Sequence, residues 1–375
     1  MRITGFYELL GQIKYFIPFP LPPKDPDLQM DESITNVHGQ AMLQLGKLEE
    51  MAKNIPDIKR FLKAYIIKEA LLSSSIEGIY TTLLDVFTQP LLLTKPNKNI
   101  QLVTNYTKAL DIALNMIKQQ NLPITSRVLL SAHEALMSLG QGDQSNPGNY
   151  RKQAVKVGTL TPAPPFKIPE LISDLEYFIN QDKTPALIKS GLAHVQFEII
   201  HPFLDGNGRI GRLLIVLILI ESGLLSEAII YPSYFFKKNQ LEYYHKLDRV
   251  RTHGDFEGWL FFYFTAIRDS CTDAYNRAKD INSLENNLKE IILTDKKFLK
   301  TQESRLKALS IIFTYPIISI SELSNQLNIS FNTANQIIHD FIDLNILIEE
   351  NNQKRNKLFK FKSYIDVLEM DYNNF

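Results

Sequence analysis

Residues 201–212 read His-Pro-Phe-Leu-Asp-Gly-Asn-Gly-Arg-Ile-Gly-Arg, and an aliphatic run from Leu213 to Ile220 follows without a break. This stretch constrains the fold most, because it joins a polar, glycine-rich turn to a segment that is apolar on every side. A helix of that composition belongs in a protein core. The sequence therefore predicts a charged turn at the N-terminal end of a buried helix.

The two glycines of this turn suit the binding of an anion. Gly206 and Gly208 lack a Cβ atom, so the backbone can adopt left-handed angles and bring several N–H groups close to one point. Asn207 tolerates the left-handed region better than most residues. If the helix begins at about Gly208, its unpaired N–H groups and its dipole favour negative charge at the same place. The turn is typical of a phosphate site.

The charged side chains of the stretch fit the same interpretation. Arg209 and Arg212 are three residues apart, so both lie on one helix face and can form paired hydrogen bonds to phosphate oxygens. Asp205 can hold Mg²⁺, which usually takes one or two carboxylates together with phosphate oxygens. His201 has an ordinary pKa near neutrality and can accept a proton from an attacking hydroxyl.

Other interpretations of these residues are less specific. Each residue alone is common in loops or on solvated surfaces. The spacing Gly206-x-Gly208-x-x-Gly211 also matches a dinucleotide fingerprint, which requires a preceding strand. The preceding segment, Ala186–Ile200, has helical spacing instead. A Walker loop is excluded because no Gly-Lys-Ser/Thr follows.

The complete pattern His-x-Phe-x-Asp-Gly-Asn-Gly-Arg-x-x-Arg resembles the signature of the Fic family and departs from it at no defined position. The resemblance implies a mainly α fold, a helical bundle with a small β-hairpin flap. It also implies transfer of AMP from ATP to a Tyr, Ser or Thr hydroxyl of a target protein, with His201 as catalytic base and Asp205 holding Mg²⁺. The implied nucleotide-binding residues are Glu77, Val157, Gly158, Thr159, Leu160, His201, Asp205, Gly206, Asn207, Gly208, Arg209, Ile210, Gly211, Arg212, Tyr243 and Tyr244.

A second motif ends a predicted helix over residues 57–78. The sequence Ser73-Ser-Ser-Ile-Glu77-Gly78 places Ser73 and Glu77 four residues apart on one face, with Gly78 as a left-handed cap. It resembles the inhibitory motif of Fic proteins, which implies that both residues are regulatory and that Glu77 pairs with Arg212. One guanidinium cannot fully pair with a carboxylate and a phosphate together. In some relatives the same Glu helps to remove AMP, and this alternative stays open.

Two further segments acquire roles through the resemblance. Alternation and turn residues from Gln153 to Pro165 predict a β-hairpin, which without the resemblance is a surface hairpin with no task. In Fic proteins such a flap holds the target by strand addition, here along Val157–Leu160. Tyr243 and Tyr244 lie on a predicted helix over Gln240–Val250, so one is expected in the core and one at a cavity. The resemblance places this pair at the adenine end of the pocket.

Composition sets broad limits on location and partners. The 41 basic residues balance the 41 acidic ones, so charge gives no general attraction to nucleic acid or to anionic membranes. The single cysteine, Cys271, cannot form an intrachain disulfide and suits a reducing compartment. No apolar run reaches the roughly 18 residues of a membrane span. We expect a cytoplasmic protein that binds ATP and a target protein, without a membrane partner.

The predicted organisation has four parts. Residues 1–54 form an irregular, proline-rich arm up to residue 30 and then a helix. Residues 55–270 form the Fic core, in which Tyr231–Phe236 is a linker. Residues 271–300 form a helical connector, and 301–375 form a winged-helix-like domain. Relatives often dimerise, so a homodimer is one expected assembly.

The last part has the spacing of a winged helix: helices near 303–314, 320–327 and 331–344, and two short strands around Asn351–Asn356. Winged helices commonly bind DNA in the major groove. However, residues 331–344 contain no Lys or Arg and do contain Asp340 and Asp343, which disfavours contact with bases and phosphates. The basic residues are in the wing, at Lys354, Arg355, Lys357, Lys360 and Lys362.

We therefore favour a protein-contact or orienting module over DNA binding. Two alternative functions are a winged-helix DNA-binding regulator and a phosphotransferase on the Fic scaffold. Phosphotransferase relatives usually depart from the signature at the second glycine and the last arginine. Both are present here, as Gly208 and Arg212.

Overall fold

The computed structural model describes residues 2–54, 58–92, 95–138, 146–350 and 357–370, and the fold is mainly α-helical. The chain forms two compact units. The first comprises residues 1–55, 65–80 and 101–272, and the second comprises residues 56–64, 81–100 and 273–375.

The helices are numbered in chain order. They are α1 (Glu32–Asn54), α2 (Ile58–Ile76), α3 (Leu83–Thr88), α4 (Lys98–Lys118), α5 (Ser126–Met137), α6 (Ile168–Gln181), α7 (Ala186–Ile200), α8 (Asn207–Glu221), α9 (Ser233–Lys238), α10 (Gln240–His253), α11 (Phe256–Thr294), α12 (Gln302–Thr314), α13 (Ile320–Leu327), α14 (Phe331–Asp343) and α15 (Lys362–Glu369). Five strands accompany them: β1 (Gly5–Leu10), β2 (Ile13–Pro18), β3 (Ile317–Ser319), β4 (Ile348–Glu349) and β5 (Leu358–Lys360).

Helices α7 and α8 form the centre of the first unit and pack along each other. The run Leu213–Ile220 is buried throughout, as a helix with no polar face must be. Helices α6 and α10 pack on α7, and α5 packs on both α6 and α8. The signature covers the turn between α7 and α8 and the first residues of α8, so two buried helices hold it.

The prediction of an irregular N-terminal arm is wrong for residues 5–18. Strands β1 and β2 pair antiparallel, with Gly5 opposite Pro18 and Leu10 opposite Ile13. Gly11 has φ 63° in the connecting turn, a left-handed angle that a tight hairpin requires and glycine adopts readily. The prolines that suggested irregular chain lie at or beyond the end of β2.

Other boundaries also differ from the sequence-based prediction. Tyr231–Phe236 is not a linker throughout, because α9 begins at Ser233 directly after Pro232, a residue well suited to the start of a helix. The hairpin expected from Gln153 to Pro165 is reduced to one bridge between Val157 and Leu160. Three prolines follow this bridge, and proline has no N–H group to extend a ladder.

The second unit contains a three-stranded antiparallel sheet in the order β3-β5-β4, with α12, α13 and α14 packed in sequence. The strands predicted around 351–356 lie outside the described residues, as do Lys354 and Arg355; β4 and β5 stand on either side of that segment. Asp340 on α14 is buried and accepts hydrogen bonds from Arg305, with the Nη2–Oδ2 distance at 2.6 Å.

Across the described ranges, every helix is too short or too polar to cross a lipid bilayer.

Candidate active site

His201 ends α7 in a left-handed conformation, with φ 49° and ψ 62°. Its N–H donates to the Phe197 carbonyl at 2.9 Å, which closes the helix. A non-glycine residue in this region costs about 1–3 kcal/mol, so surrounding contacts must hold it. Burial, reinforced by the positive charge of Arg151, lowers the pKa of His201 to about 4. The imidazole is therefore neutral at pH 7.

The turn after His201 is closed by Asn207. Its Oδ1 accepts from Phe203 N–H at 2.8 Å, and its Nδ2 donates to the Phe203 carbonyl at 2.9 Å. Gly206, with φ 83°, precedes the first residue of α8. The predicted left-handed residue of the turn is thus Gly206, and the Asn207 side chain holds the turn together. Its amide is already used in this structural role.

Asp205 stands at the rim of the turn and is 64% exposed. Its Oδ1 accepts from Gly206 N–H at 2.6 Å and lies 3.5 Å from Nη2 of Arg209. No group of three or more His, Cys, Asp or Glu side chains within the described ranges could hold a metal ion. A single accessible carboxylate nevertheless fits Mg²⁺ bound mainly through phosphate oxygens.

Arg209 is only 1% exposed, and its Nε and Nη1 have no hydrogen-bond partner among the described residues. Nη2 faces the weak acceptor Sδ of Met137 at 3.6 Å. Burial lowers the pKa of Arg209, although the charge of Asp205 opposes this shift. Buried guanidinium donors without partners are costly, so this geometry favours an anionic ligand at this position.

Arg212 is also buried, but its Nε and Nη2 are occupied by Ser73, near the end of α2, and by Glu77, directly after that helix. Nε donates to Ser73 Oγ at 2.9 Å, and Nη2 donates to the Ser73 carbonyl at 2.9 Å and to Glu77 Oε1 at 2.6 Å. Burial opposes the charged form, yet the carboxylate of Glu77 raises the pKa of Arg212 above its ordinary value. The predicted contact between Glu77 and Arg212 is present. Gly78 adopts φ 77° directly after it.

Gly208 allows Glu77 to come this close. A Cβ atom on Gly208 would lie 2.2 Å from Glu77 Oε1 and 2.9 Å from Arg212 Nη1. A Cβ on Gly211 would lie 2.5 Å from Oε1 of Glu198, a buried carboxyl whose pKa burial raises to about 7. Ile210, between these two glycines, is fully buried in the core. A Cβ atom at either position would therefore force the neighbouring carboxyl group to move.

The sequence-based interpretation missed Arg151 and the task of His133. Arg151 donates through Nε to the His201 carbonyl at 2.8 Å, and through Nη2 to the Ala163 carbonyl at 2.7 Å. His133 is fully buried and contacts the Asp205 carbonyl through Nε2 at 3.0 Å. Its ring stacks on Phe203 at 3.7 Å between centroids. The two side chains hold both ends of the turn, and neither shows a sequence signal for contact with a distant carbonyl.

The predicted flap residues form a tight turn. Val157 N–H donates to the Leu160 carbonyl at 2.8 Å, and Leu160 N–H donates back at 2.9 Å. Gly158 takes φ 58°, and Thr159 completes the turn. Leu160 is buried, whereas Val157 is exposed.

The two adjacent tyrosines divide as expected into one core and one accessible residue. Tyr243 is fully buried, and its hydroxyl is 2.8 Å from Nε2 of His194. Tyr244 is exposed and donates to the carbonyl of Ile76, the last residue of α2, at 3.3 Å. Only Tyr244 has surface available for a ligand.

Comparison with known proteins agrees with this geometry. Residues 123–219 match the sequence family described as "Fic/DOC family", and residues 35–115 match the one described as "Fic/DOC family N-terminal". The chain is a Fic-domain protein. The first match contains the signature turn and the second contains Ser73 and Glu77, so both parts of the site lie within matched segments.

Curated relatives are named as adenylyltransferases. The Fic-domain protein is 41% identical over 85 residues to a probable protein adenylyltransferase of Aquifex aeolicus, covering 22% of this chain and 27% of the relative. It is 30% identical over 164 residues to the protein adenylyltransferase Fic of Drosophila grimshawi, covering 42% of this chain and 32% of the relative. The matched part spans about a third or less of these relatives' length.

Solved structures share the fold. A Fic family protein from Desulfovibrio desulfuricans G20 is 20% identical, with a TM-score of 0.57, covering 89% of this chain and 97% of that one. A Fic-1 fragment from C. elegans is 20% identical, with a TM-score of 0.51, covering 65% of this chain and 73% of that one.

Proposed function

We propose that this Fic-domain protein is a protein adenylyltransferase that transfers AMP from ATP to a Tyr, Ser or Thr hydroxyl of a target protein. The buried Nε and Nη1 of Arg209, which have no acceptor in the part of the chain that the structure describes, carry the proposal, because they provide donors for an anion beside the glycine turn. The names of the curated relatives support the same activity. ATP is then the substrate.

In the proposed reaction, the neutral imidazole of His201 accepts the proton of the target hydroxyl. The hydroxyl oxygen bonds to the α-phosphorus, the bond from that phosphorus to the bridging oxygen breaks, and pyrophosphate leaves. Arg209 and the backbone N–H groups at the start of α8 stabilise the phosphate charge. Mg²⁺, held by Asp205, would neutralise phosphate charge when bound. Tyr244 is the accessible candidate for the adenine end, and Arg212 is the candidate for the γ-phosphate.

Glu77 restrains this reaction in our proposal. Its carboxylate accepts from Nη2 of Arg212, which also donates to the Ser73 carbonyl, while Nε of the same guanidinium donates to Ser73 Oγ. ATP must displace Glu77 before Arg212 can bind the γ-phosphate, because both anions need the same donors.

We also propose the organisation and setting expected from the sequence. The Fic core covers 55–270, 271–300 is a connector, and 301–375 is a winged-helix-like module. Helix α14 contains no Lys or Arg, which supports contact with protein over contact with DNA. A homodimer is one such contact. Cys271, the single cysteine, is a buried free thiol and fits the cytoplasm.

Intact-mass analysis after incubation with ATP and Mg²⁺ tests the activity, with the Glu77→Gly variant as the released form. A gain of one AMP unit supports adenylyl transfer. A gain of one phosphate supports the phosphotransferase alternative, and no gain with any hydroxyl protein offered contradicts both.

A further inference from the structure

The two arms of the flap are held very differently. After the Val157–Leu160 turn, the Thr161 carbonyl accepts from Phe16 N–H of β2 at 2.9 Å, and the Ala163 carbonyl accepts from Arg151 at 2.7 Å. Before the turn, the backbone of residues 154–156 makes no hydrogen bond to any described part of the chain. The arm after the turn is called the anchored arm. The arm before the turn is held at Gln153, whose carbonyl accepts from Nη1 of Arg151 at 3.2 Å, and the unpaired backbone of residues 154–156 is called the free edge below.

Arg251 anchors the tip between these arms. From α10, its Nη2 donates to Thr159 Oγ1 at 2.9 Å, and its Nη1 donates to the hydroxyl of Tyr7 on β1 at 2.9 Å. Asp248, one turn earlier on α10, pairs with the same guanidinium at 2.5 Å. The Arg251 side chain is only 7% exposed. It thus joins α10, the N-terminal hairpin and the flap turn at one point.

The chemistry of this contact requires arginine. A guanidinium is planar and directs several N–H groups outward, so it can bond to two separate oxygens while keeping its ion pair. A lysine ammonium at the end of a longer, more mobile stem would not hold the same fixed geometry. Without the contact, the side of the turn at Thr159 would lose its side-chain anchor, and the two backbone hydrogen bonds between Val157 and Leu160 would be supported only through the anchored arm. A two-stranded hairpin with little support is marginally stable, so these hydrogen bonds should open more often.

We propose that Arg251 is a positioning residue that fixes the flap turn, so that the free edge at 154–156 can receive the acceptor segment of the target by strand addition. This inference rests on the proposed adenylyl transfer. Unpaired backbone N–H and C=O groups are the usual template for an added strand. The anchored arm keeps that edge at a constant distance from His201 through Arg151, which bonds to both the flap and the His201 carbonyl.

Amide hydrogen exchange of the segment 153–165 tests the clamp without requiring activity. Arg251→Ala and Thr159→Val should each accelerate exchange at the Val157 and Leu160 amides by about tenfold. Arg249→Ala is the matched control, because Arg249 is on the same helix but pairs with Asp255 instead of the flap. Unchanged exchange in both clamp variants would overturn the proposal. Two variants guard against a folding defect in either one.

The second measurement uses self-modification by AMP in the Glu77→Gly background. At saturating ATP, Arg251→Ala should lower the rate of AMP incorporation by about tenfold or more, since small misplacements of a reactant are costly. The KM for ATP should stay unchanged, and the Thr159→Val, Arg251→Ala double variant should be no slower than Arg251→Ala. A raised KM with an unchanged saturating rate would overturn the acceptor role. If the Glu77→Gly parent transfers no AMP, the proposed function fails, while hydrogen exchange still decides the clamp.

Discussion

Replacing Glu77 by Gly removes the carboxylate that occupies Arg212 and should increase AMP transfer. The contact is a charge-assisted hydrogen bond of 2.6 Å to an arginine side chain that is 1% exposed. Glu77 itself is 34% exposed, so solvent screens the pair and the deep-interior Coulomb energy does not apply. A hydrogen bond to a charged group contributes about 1.5–3 kcal/mol.

If ATP must break this contact to reach Arg212, the same free energy opposes productive binding. At 1.36 kcal/mol per factor of ten, Glu77→Gly should raise kcat/KM for ATP by about 10- to 150-fold. Glu77→Gln keeps an oxygen acceptor without the charge and should give an intermediate gain. Ser73 and its two contacts with Arg212 remain in both variants, so the guanidinium stays in place.

The assay is AMP incorporation into the protein itself, followed by intact mass across a range of ATP concentrations. Glu221→Gln serves as a control, because Glu221 is an exposed carboxylate at the far end of α8 and should leave the rate unchanged. Equal kcat/KM in wild type and Glu77→Gly would refute the competition argument. A gain in Glu77→Gln as large as in Glu77→Gly would show that charge is responsible and that the remaining hydrogen bond is not.

His201→Ala should lower transfer by about 10²–10⁴-fold while the Kd for ATP measured by calorimetry is unchanged, whereas undiminished transfer would exclude this imidazole as the base. Because burial lowers the pKa of His201 to about 4, the imidazole stays unprotonated well below pH 6. The value of kcat/KM should therefore stay nearly constant from pH 7 to pH 5, and loss of half the activity near pH 6.5 would contradict this. Ser73→Ala leaves Nε of Arg212 buried without an acceptor and should lower the free energy of unfolding by about 1–3 kcal/mol in a denaturant titration, where no change would argue against the bond. Arg305→Ala leaves the 1% exposed carboxylate of Asp340 with Lys297 as its remaining charged partner within the described ranges, so a loss of about 3 kcal/mol is expected by the same titration.

Contacts over long sequence distances were predicted only where a known pattern connected them. The pairing of Glu77 with Arg212 was expected from the resemblance, and the structure contains it; its inhibitory effect stays a prediction. The hairpin β1–β2 was not predicted, because the prolines at and beyond the end of β2 suggested irregular chain. Gly11 in the turn was the signal for a hairpin. The residues that fix the flap, Arg151 and Arg251, were not assigned a role.

The sequence alone determined the signature turn, because its causes are local. A left-handed glycine, unpaired N–H groups at a helix start and an apolar run from Leu213 to Ile220 are consequences of adjacent residues. Only the tertiary structure showed that Arg209 has buried donors without an acceptor among the described residues, and that Arg151 and His133 hold the turn through backbone carbonyls. Every residue carries a backbone carbonyl, so the sequence does not indicate which carbonyl a given side chain will contact. The packing of distant elements decides which carbonyl is within reach.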